Sequence, residues 1–469
     1  MSGQGETYDL AIVGGGTGGY VAAIRASQLG LRVALIEKEK LGGTCLHRGC
    51  IPTKALLESA EIYWLVRRAK DYGVIASKPG FDYSQILRRK ESIVNRLHSG
   101  IQFLMKKNHV TVVEGRARLL SPTTMVVSGG NDVERELSAR DVILATGSEP
   151  KSLPGLEIDG DRILTSDHVV ELPEVPSSLI IVGAGAIGVE FASLFHDLGS
   201  QISLVEVMPT VVPLEDQEIG QELERSFKQR GIRVMTGAKL LSDTLARRKG
   251  GVEVQVEVGG QRETLSGERL LVAVGRRGLV DGLGLEDLGV RVDRGYVVVD
   301  KSMNTGVPHL YAVGDLIGGM LLAHVAMAEG ILAVETIAGE DPTPLDYSRV
   351  PRGTYCRPQV GSLGLTEHEA IAQAHDIKVG RFPFRANGRA LIGGEAEGLA
   401  KVVADKGSGE ILGVHVIGPQ ATELIMEPAL ARFLEATAWE LGSSIHAHPT
   451  LSEAIGEAAL AVDGRAIHI

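Results

Sequence analysis

One pattern occurs twice in this chain and limits what it can fold into more than any other feature. "YDLAIVGGGTGGYVAAIRASQLGLRVALIEKE" reads as a strand, a glycine turn, an amphipathic helix and a second strand. Gly14, Gly16 and Gly19 form G-x-G-x-x-G, and Glu37 closes the second strand. "SSLIIVGAGAIGVEFASLFHDLGSQISLVEV" repeats it with Gly183, Gly185, Gly188 and Glu206, and the interval from first glycine to acid is 23 positions in both copies. The first glycine permits the tight turn, the second lets backbone approach a pyrophosphate, and the third lets helix pack on strand. The phosphates then meet the free N–H groups and dipole of the helix N-terminus, and the acid accepts ribose hydroxyls. Two βαβ units, each with a dinucleotide site, are predicted.

The rest of the chain fits around these units. A length of 469 residues suggests about three domains. Aromatic residues make up only 4% while glycine numbers 59, a profile of an α/β protein rather than an all-β sandwich. The net charge of −11, with no long basic run, argues against a nucleic-acid partner. Residues 1–7 carry no cationic leader and no stretch is apolar enough to span a bilayer, so a cytoplasmic protein without a membrane partner is expected. "VILATGSEP" (142–150) and "LLVAVGRRG" (270–278) each read as a buried strand leading to a glycine, Gly147 and Gly275. "HLYAVGDLIGG" (309–319) ends a strand on Gly314 and Asp315, whose carboxylate can take ribitol or ribose hydroxyls. From about residue 342, "VPRGTYCRPQVGSLGLT", "LIGGEAEGLAKVVAD" and "ILGVHVIGP" alternate like antiparallel strands, and two helical stretches follow. That is a third domain, of α+β type.

"LGGTCLHRGCIPTK" (41–54) holds two of the three cysteines, Cys45 and Cys50. A structural staple, half a metal site and a working redox pair are the alternatives. Zinc commonly needs about four ligands, but Cys356 lies far away and reads as a buried small hydrophobe, and His47 reads as solvated. No metal is expected, and the redox reading leads. On a regular helix, positions five apart rise about 7.5 Å and point apart. A disulfide needs Cα atoms within about 7 Å. The segment must therefore be irregular before its helix settles, and Gly49 and Pro52 suit that distortion. A helix N-terminus there also stabilises a thiolate. Two dinucleotides beside a cysteine pair suggest a flavin passing electrons between a nicotinamide and a disulfide.

Together these residues resemble the pyridine nucleotide–disulfide oxidoreductase family over essentially the whole chain, and within it the members that oxidise dihydrolipoyl groups. "GGTCLHRGCIPTK" is similar to the family's redox-disulfide motif and "HAHPTLSEA" (446–454) to its C-terminal acid–base motif. The resemblance implies two Rossmann-like dinucleotide-binding domains plus a C-terminal α+β domain. These are an FAD domain of residues 1–149 completed by 276–344, an NAD domain of 150–275, and a dimerisation domain of 345–469 that makes a homodimer. Cys45 would be the interchange thiol and Cys50 the thiol lying against the flavin. Lys54 would sit near the flavin's reactive nitrogen, paired with Glu190. Gly115 would lie close to the adenine, and Ala323 and His324 at a helix N-terminus beneath the flavin ring. His448 would be the base, held in one tautomer by Glu453, with His446 structural. The resemblance further places the two site halves on different subunits, with the dihydrolipoyl group arriving on an acyltransferase or carrier protein. A C-terminus without cysteine argues against a mercuric reductase. Glu206, with no arginine after the strand, argues against an NADPH-dependent glutathione reductase and for NAD. Met327 and Ala328 stand where relatives often carry acidic residues.

Overall fold

The computed structural model describes residues 7–129 and 134–469; the reading of the start as leaderless falls mostly on residues 1–6, outside them. The chain divides into two compact units, Met1–Ala55 with Gln85–Lys151 and Gly275–Leu345, and Leu56–Ser84 with Ser152–Val274 and Asp346–Ile469.

In the first unit, the strands Thr111–Glu114, Val33–Glu37, Thr7–Val13 and Glu134–Leu144 lie side by side in parallel, with Leu310–Ala312 parallel beyond the last. The far end of Glu134–Leu144 continues into an antiparallel meander with Thr124–Ser128 and Arg116–Ser121. Leu10, Ile12 and Leu35 are fully buried, the near-continuous apolar character of a parallel sheet covered on both faces. Each such side chain stabilises the fold by about 1.5–3 kcal/mol. The helix Thr17–Gln28 buries Ala22, Ala23 and Ala26 rather than large residues, which brings its backbone close to the helix Ala323–Ile337. A Cβ on Gly330 would stand 2.6 Å from the Gly18 carbonyl.

The second unit holds the second βαβ pattern. The strands Arg233–Met235, Gln201–Val205, Ser178–Val182, Arg269–Val272 and Ile163–Leu164 form a parallel sheet in that order. Ala238–Arg248, Gly251–Val258 and Gln261–Gly267 make an antiparallel sheet of their own.

The C-terminal part of this unit is α+β as expected, with corrections of detail. Its antiparallel order is Arg352–Thr354, Gln359–Gly364, Ile411–Gly418, Leu399–Asp405, Ile377–Pro383, and the last of these strands was not anticipated. "LIGG", read as part of a strand, instead ends the helix Gly388–Gly393, because Asn387 caps it by accepting the Ala390 N–H (2.9 Å). Ile411–Gly418 does not alternate: every residue is buried. The helix Glu453–Ala461 packs so tightly on the sheet that a Cβ on Gly380 would stand 2.0 Å from the Ala458 carbonyl. No helix among the described residues is long and apolar enough to cross a membrane.

Candidate active site

The two glycine turns have the same internal geometry. A Cβ on Gly14 would stand 2.3 Å from the Ala145 carbonyl, and on Gly183 2.4 Å from that of Ala273. A Cβ on Gly19 would meet the Gly14 carbonyl at 1.8 Å, and on Gly188 that of Gly183 at 1.9 Å. These four glycines are demanded by the chain's own packing. The middle ones are not: a Cβ on Gly185 would meet nothing within 4 Å, and on Gly16 only Gly43 at 4.0 Å. Each is the N-cap of the helix that follows, and neither helix has a side-chain cap. Open space in front of uncapped helix N–H groups is what a pyrophosphate requires, so the residues fit a dinucleotide in both places.

The acids behave alike as well. Glu37 accepts the N–H groups of Gly15 (2.6 Å) and Glu39 (2.8 Å). Glu206 accepts those of Ala184 (2.6 Å) and Met208 (2.8 Å). Each acid thus ties its strand end to its glycine turn, and its remaining lone pairs can take ribose hydroxyls. Burial pushes the Glu37 carboxyl up, with the Gly15 N–H opposing. Gly115 makes a close backbone approach: its N–H donates to the Glu37 carbonyl (2.9 Å), and a Cβ on it would stand 2.7 Å from that of Ser128.

Gly147 and Gly275 both have left-handed backbones, φ +76° and +108°. Gly314 and Asp315 open a short 3₁₀ turn after the strand Leu310–Ala312. Asp315 accepts from the Ser148 hydroxyl, and Ser148 in turn accepts from Arg276 (2.7 Å). Sequence reasoning passed over both partners and gave no role to Glu329, the acid beside Met327 and Ala328, which is 2% exposed and accepts the Gly314 N–H (2.7 Å). The one available signal was an acid among small apolar residues in "AMAEG". Ala323 and His324 open the helix Ala323–Ile337, as expected.

Cys45 lies in the helix Gly43–His47 and Cys50 begins the helix Cys50–Arg67. The helix breaks at Arg48 and Gly49, as the five-residue spacing required, and Pro52 falls in the first turn of the second helix, where its missing N–H costs nothing. The thiols are side by side. A hydrogen bond to Cys50 and then burial push the Cys45 thiol far above its ordinary pKa, with Lys54 opposing. Cys50 stands at the N-terminus of its helix, a position that favours a thiolate. Cys356 is fully buried and its thiol donates to the Pro358 carbonyl (3.1 Å). His47 is not solvated as expected: it is half-buried, bonded to the Leu41 carbonyl (2.9 Å), and burial lowers its pKa. Glu190 is buried and accepts the Tyr355 N–H (2.9 Å).

Near the C-terminus, Nδ1 of His448 lies 2.8 Å from Glu453, whose other oxygen accepts the Thr450 N–H (2.8 Å). Burial raises the Glu453 carboxyl, but that N–H and the imidazole outweigh it and hold the group below its ordinary range. An ionised carboxylate only accepts, so Nδ1 carries the proton and Nε2 presents its lone pair. His446 is structural: its ring fills the space against Gly456, between Glu427 (2.7 Å) and the Ser444 carbonyl (3.0 Å). Both partners accept, an arrangement that favours the imidazolium, and the bond to Glu427 raises the His446 pKa. With the folded pKa above the unfolded value, its contribution is complete below about pH 6.5 and is lost as pH rises through the raised value. His446→Gln should cost about 1 kcal/mol near pH 6, discounted for a partly solvated partner, and less near pH 9. Urea unfolding of both proteins at the two pH values checks this; a constant gap would reject the charged pair.

Residues 8–330 match the family model described as pyridine nucleotide-disulphide oxidoreductase, and residues 350–459 match that family's dimerisation domain. The chain belongs to this family, and the dimerisation domain supports a homodimer. A dihydrolipoyl dehydrogenase of Bacillus subtilis is 50% identical over 98% of this chain and 99% of its own length. One of Zymomonas mobilis is 43% identical over 99% of both. Among solved structures, LpdA of Mycobacterium tuberculosis superposes with a TM-score of 0.89 at 30% identity, covering 96% of this chain and 98% of that one. Within the family the chain is of the dihydrolipoyl dehydrogenase kind, an oxidoreductase using FAD and NAD(H).

Proposed function

We propose that this chain catalyses dihydrolipoamide + NAD⁺ → lipoamide + NADH + H⁺, with Cys45 and Cys50 as its redox pair. The observation that carries the reading is the pair of adjacent thiols across a helix break, in a chain that also has two matched glycine–acid clefts. His448 takes a proton from one substrate thiol at Nε2, and Glu453 stabilises the imidazolium formed. The substrate thiolate attacks Cys45 Sγ of the disulfide, the S–S bond breaks, and Cys50 leaves as a thiolate. The second substrate sulfur then displaces Cys45 from the mixed disulfide, which closes the lipoyl ring and leaves both protein cysteines reduced. FAD, when bound, would supply the redox chemistry that links this dithiol to NAD⁺.

In this reading residues 1–149 and 276–344 hold FAD, through Gly14, Gly16, Gly19, Glu37, Gly115, Gly147, Gly314 and Asp315, with Ala323 and His324 beneath the flavin and Lys54 paired with Glu190 beside it. Residues 150–275 hold NAD, through Gly183, Gly185, Gly188, Glu206 and Gly275, and residues 345–469 dimerise. The enzyme works in the cytoplasm on lipoyl groups carried by an acyltransferase or carrier protein.

Cofactor choice tests the Glu206 assignment. A buried carboxylate at the ribose would repel a 2′-phosphate, and such like-charge contacts cost several kcal/mol. The kcat/KM for NAD⁺ should exceed that for NADP⁺ by about 100-fold or more at fixed ionic strength. Equal values would defeat the assignment.

A further inference from the structure

The loop that leaves Glu206 is held in a conformation that its own residues do not favour. Val212 has φ +42°, a left-handed backbone that a β-branched residue rarely adopts, and it is only 3% exposed. Its N–H donates to the Ala184 carbonyl (2.8 Å), in the same glycine turn whose Ala184 N–H is held by Glu206 (2.6 Å). The strained residue therefore presses the loop onto the turn that receives the dinucleotide. Such conformations persist only where the surroundings over-determine them. Glu206 secures one end of the loop.

The other end is secured by a buried cation. Lys401, in the strand Leu399–Asp405, is 2% exposed, and its Nζ lies 2.7 Å from Asp216, 3.1 Å from Glu218 and 2.7 Å from Glu367. Asp216 ends the loop and caps the helix Gln217–Arg230, accepting the N–H groups of Glu218 (3.0 Å) and Glu367 (3.1 Å). Arg381 bridges Glu218 and Glu367 (2.7 Å each), and Arg352 bonds Glu215 (3.2 Å). A buried ammonium is tolerated only when paired, and removing one partner of such a cluster leaves the others uncompensated.

We infer that Lys401 is a positioning residue for NAD: by anchoring Asp216 it holds the 207–216 loop, the Val212 turn and so the Ala184–Glu206 contact in binding geometry. The inference rests on the assignment of NAD to the Glu206 cleft. In FAD-loaded Lys401→Met, amide exchange across residues 207–216 should speed up without NAD present. The calorimetric Kd for NAD⁺ and its KM should both rise about fivefold or more, while kcat and the KM for dihydrolipoamide stay within about twofold. Arg352→Met, which removes a more exposed partner, should move Kd in the same direction by less, and it keeps the test open if Lys401→Met does not fold. An unchanged Kd in the folded variants, even with a lowered Tm, would overturn the inference and leave Lys401 a purely structural residue. A wild-type protein that binds no NAD⁺ would overturn the cleft assignment and the inference with it.

Discussion

Lipoamide turnover falls by at least about 10³-fold when Cys45 is replaced by serine, the scale on which loss of a covalent nucleophile is felt, while FAD stays bound. Serine keeps the size and a hydrogen bond but cannot form the disulfide that the substrate thiolate attacks. None of the residues in the two glycine clefts is altered, so the FAD content of Cys45→Ser should match the parent's. The measurement is steady-state turnover with dihydrolipoamide and NAD⁺ beside the visible spectrum. Near-normal turnover would reject the thiol-exchange step.

The second large effect is expected at His448. His448→Gln removes the base that generates the substrate thiolate, and positioned acid–base groups contribute about 10²–10⁴ in rate. Its side chain is 79% exposed on the single chain although Glu453 fixes its tautomer. That combination fits a base completed by another subunit, as the family resemblance implies. Mixed dimers of Cys45→Ser and His448→Gln chains then separate the possibilities. If the base acts across the interface, one site of each mixed dimer carries both lesions and the other neither, so random pairing restores roughly a quarter of all sites. A base acting within its own chain leaves every site with one lesion. No recovery, with mixed dimers demonstrated, would sink the shared-site arrangement.

The parts of this site that were legible in the sequence are local ones. Gly19 and Glu37 act through contacts within one βαβ unit, so spacing alone revealed them, and the copy at Gly188 and Glu206 has the same contacts. The helix break between Cys45 and Cys50 followed from the geometry of a five-residue interval. What was hidden depends on partners brought together by the fold. Glu329 reaches Gly314, Arg276 reaches Ser148, and Lys401 reaches Asp216 across 185 positions; no periodicity encodes these pairs. Ile411–Gly418 lacks alternation because both its faces are covered. The neighbouring Ile377–Pro383 ("IKVGRFP") escaped notice because Gly380 and Pro383 weaken the strand pattern, although Gly380 is there to admit the last helix.

The central claim is that electrons enter through a Cys45–Cys50 disulfide reduced by a dihydrolipoyl thiol. Its most direct test is anaerobic thiol mapping of the oxidised holoenzyme before and after one equivalent of dihydrolipoamide per subunit. Before reduction, the Cys45 and Cys50 peptides should be joined and resist alkylation under denaturing conditions; afterwards both should be alkylated, with lipoamide formed in equal amount. Cysteines already alkylatable in the oxidised enzyme, or a pair that dihydrolipoamide leaves joined, would contradict it.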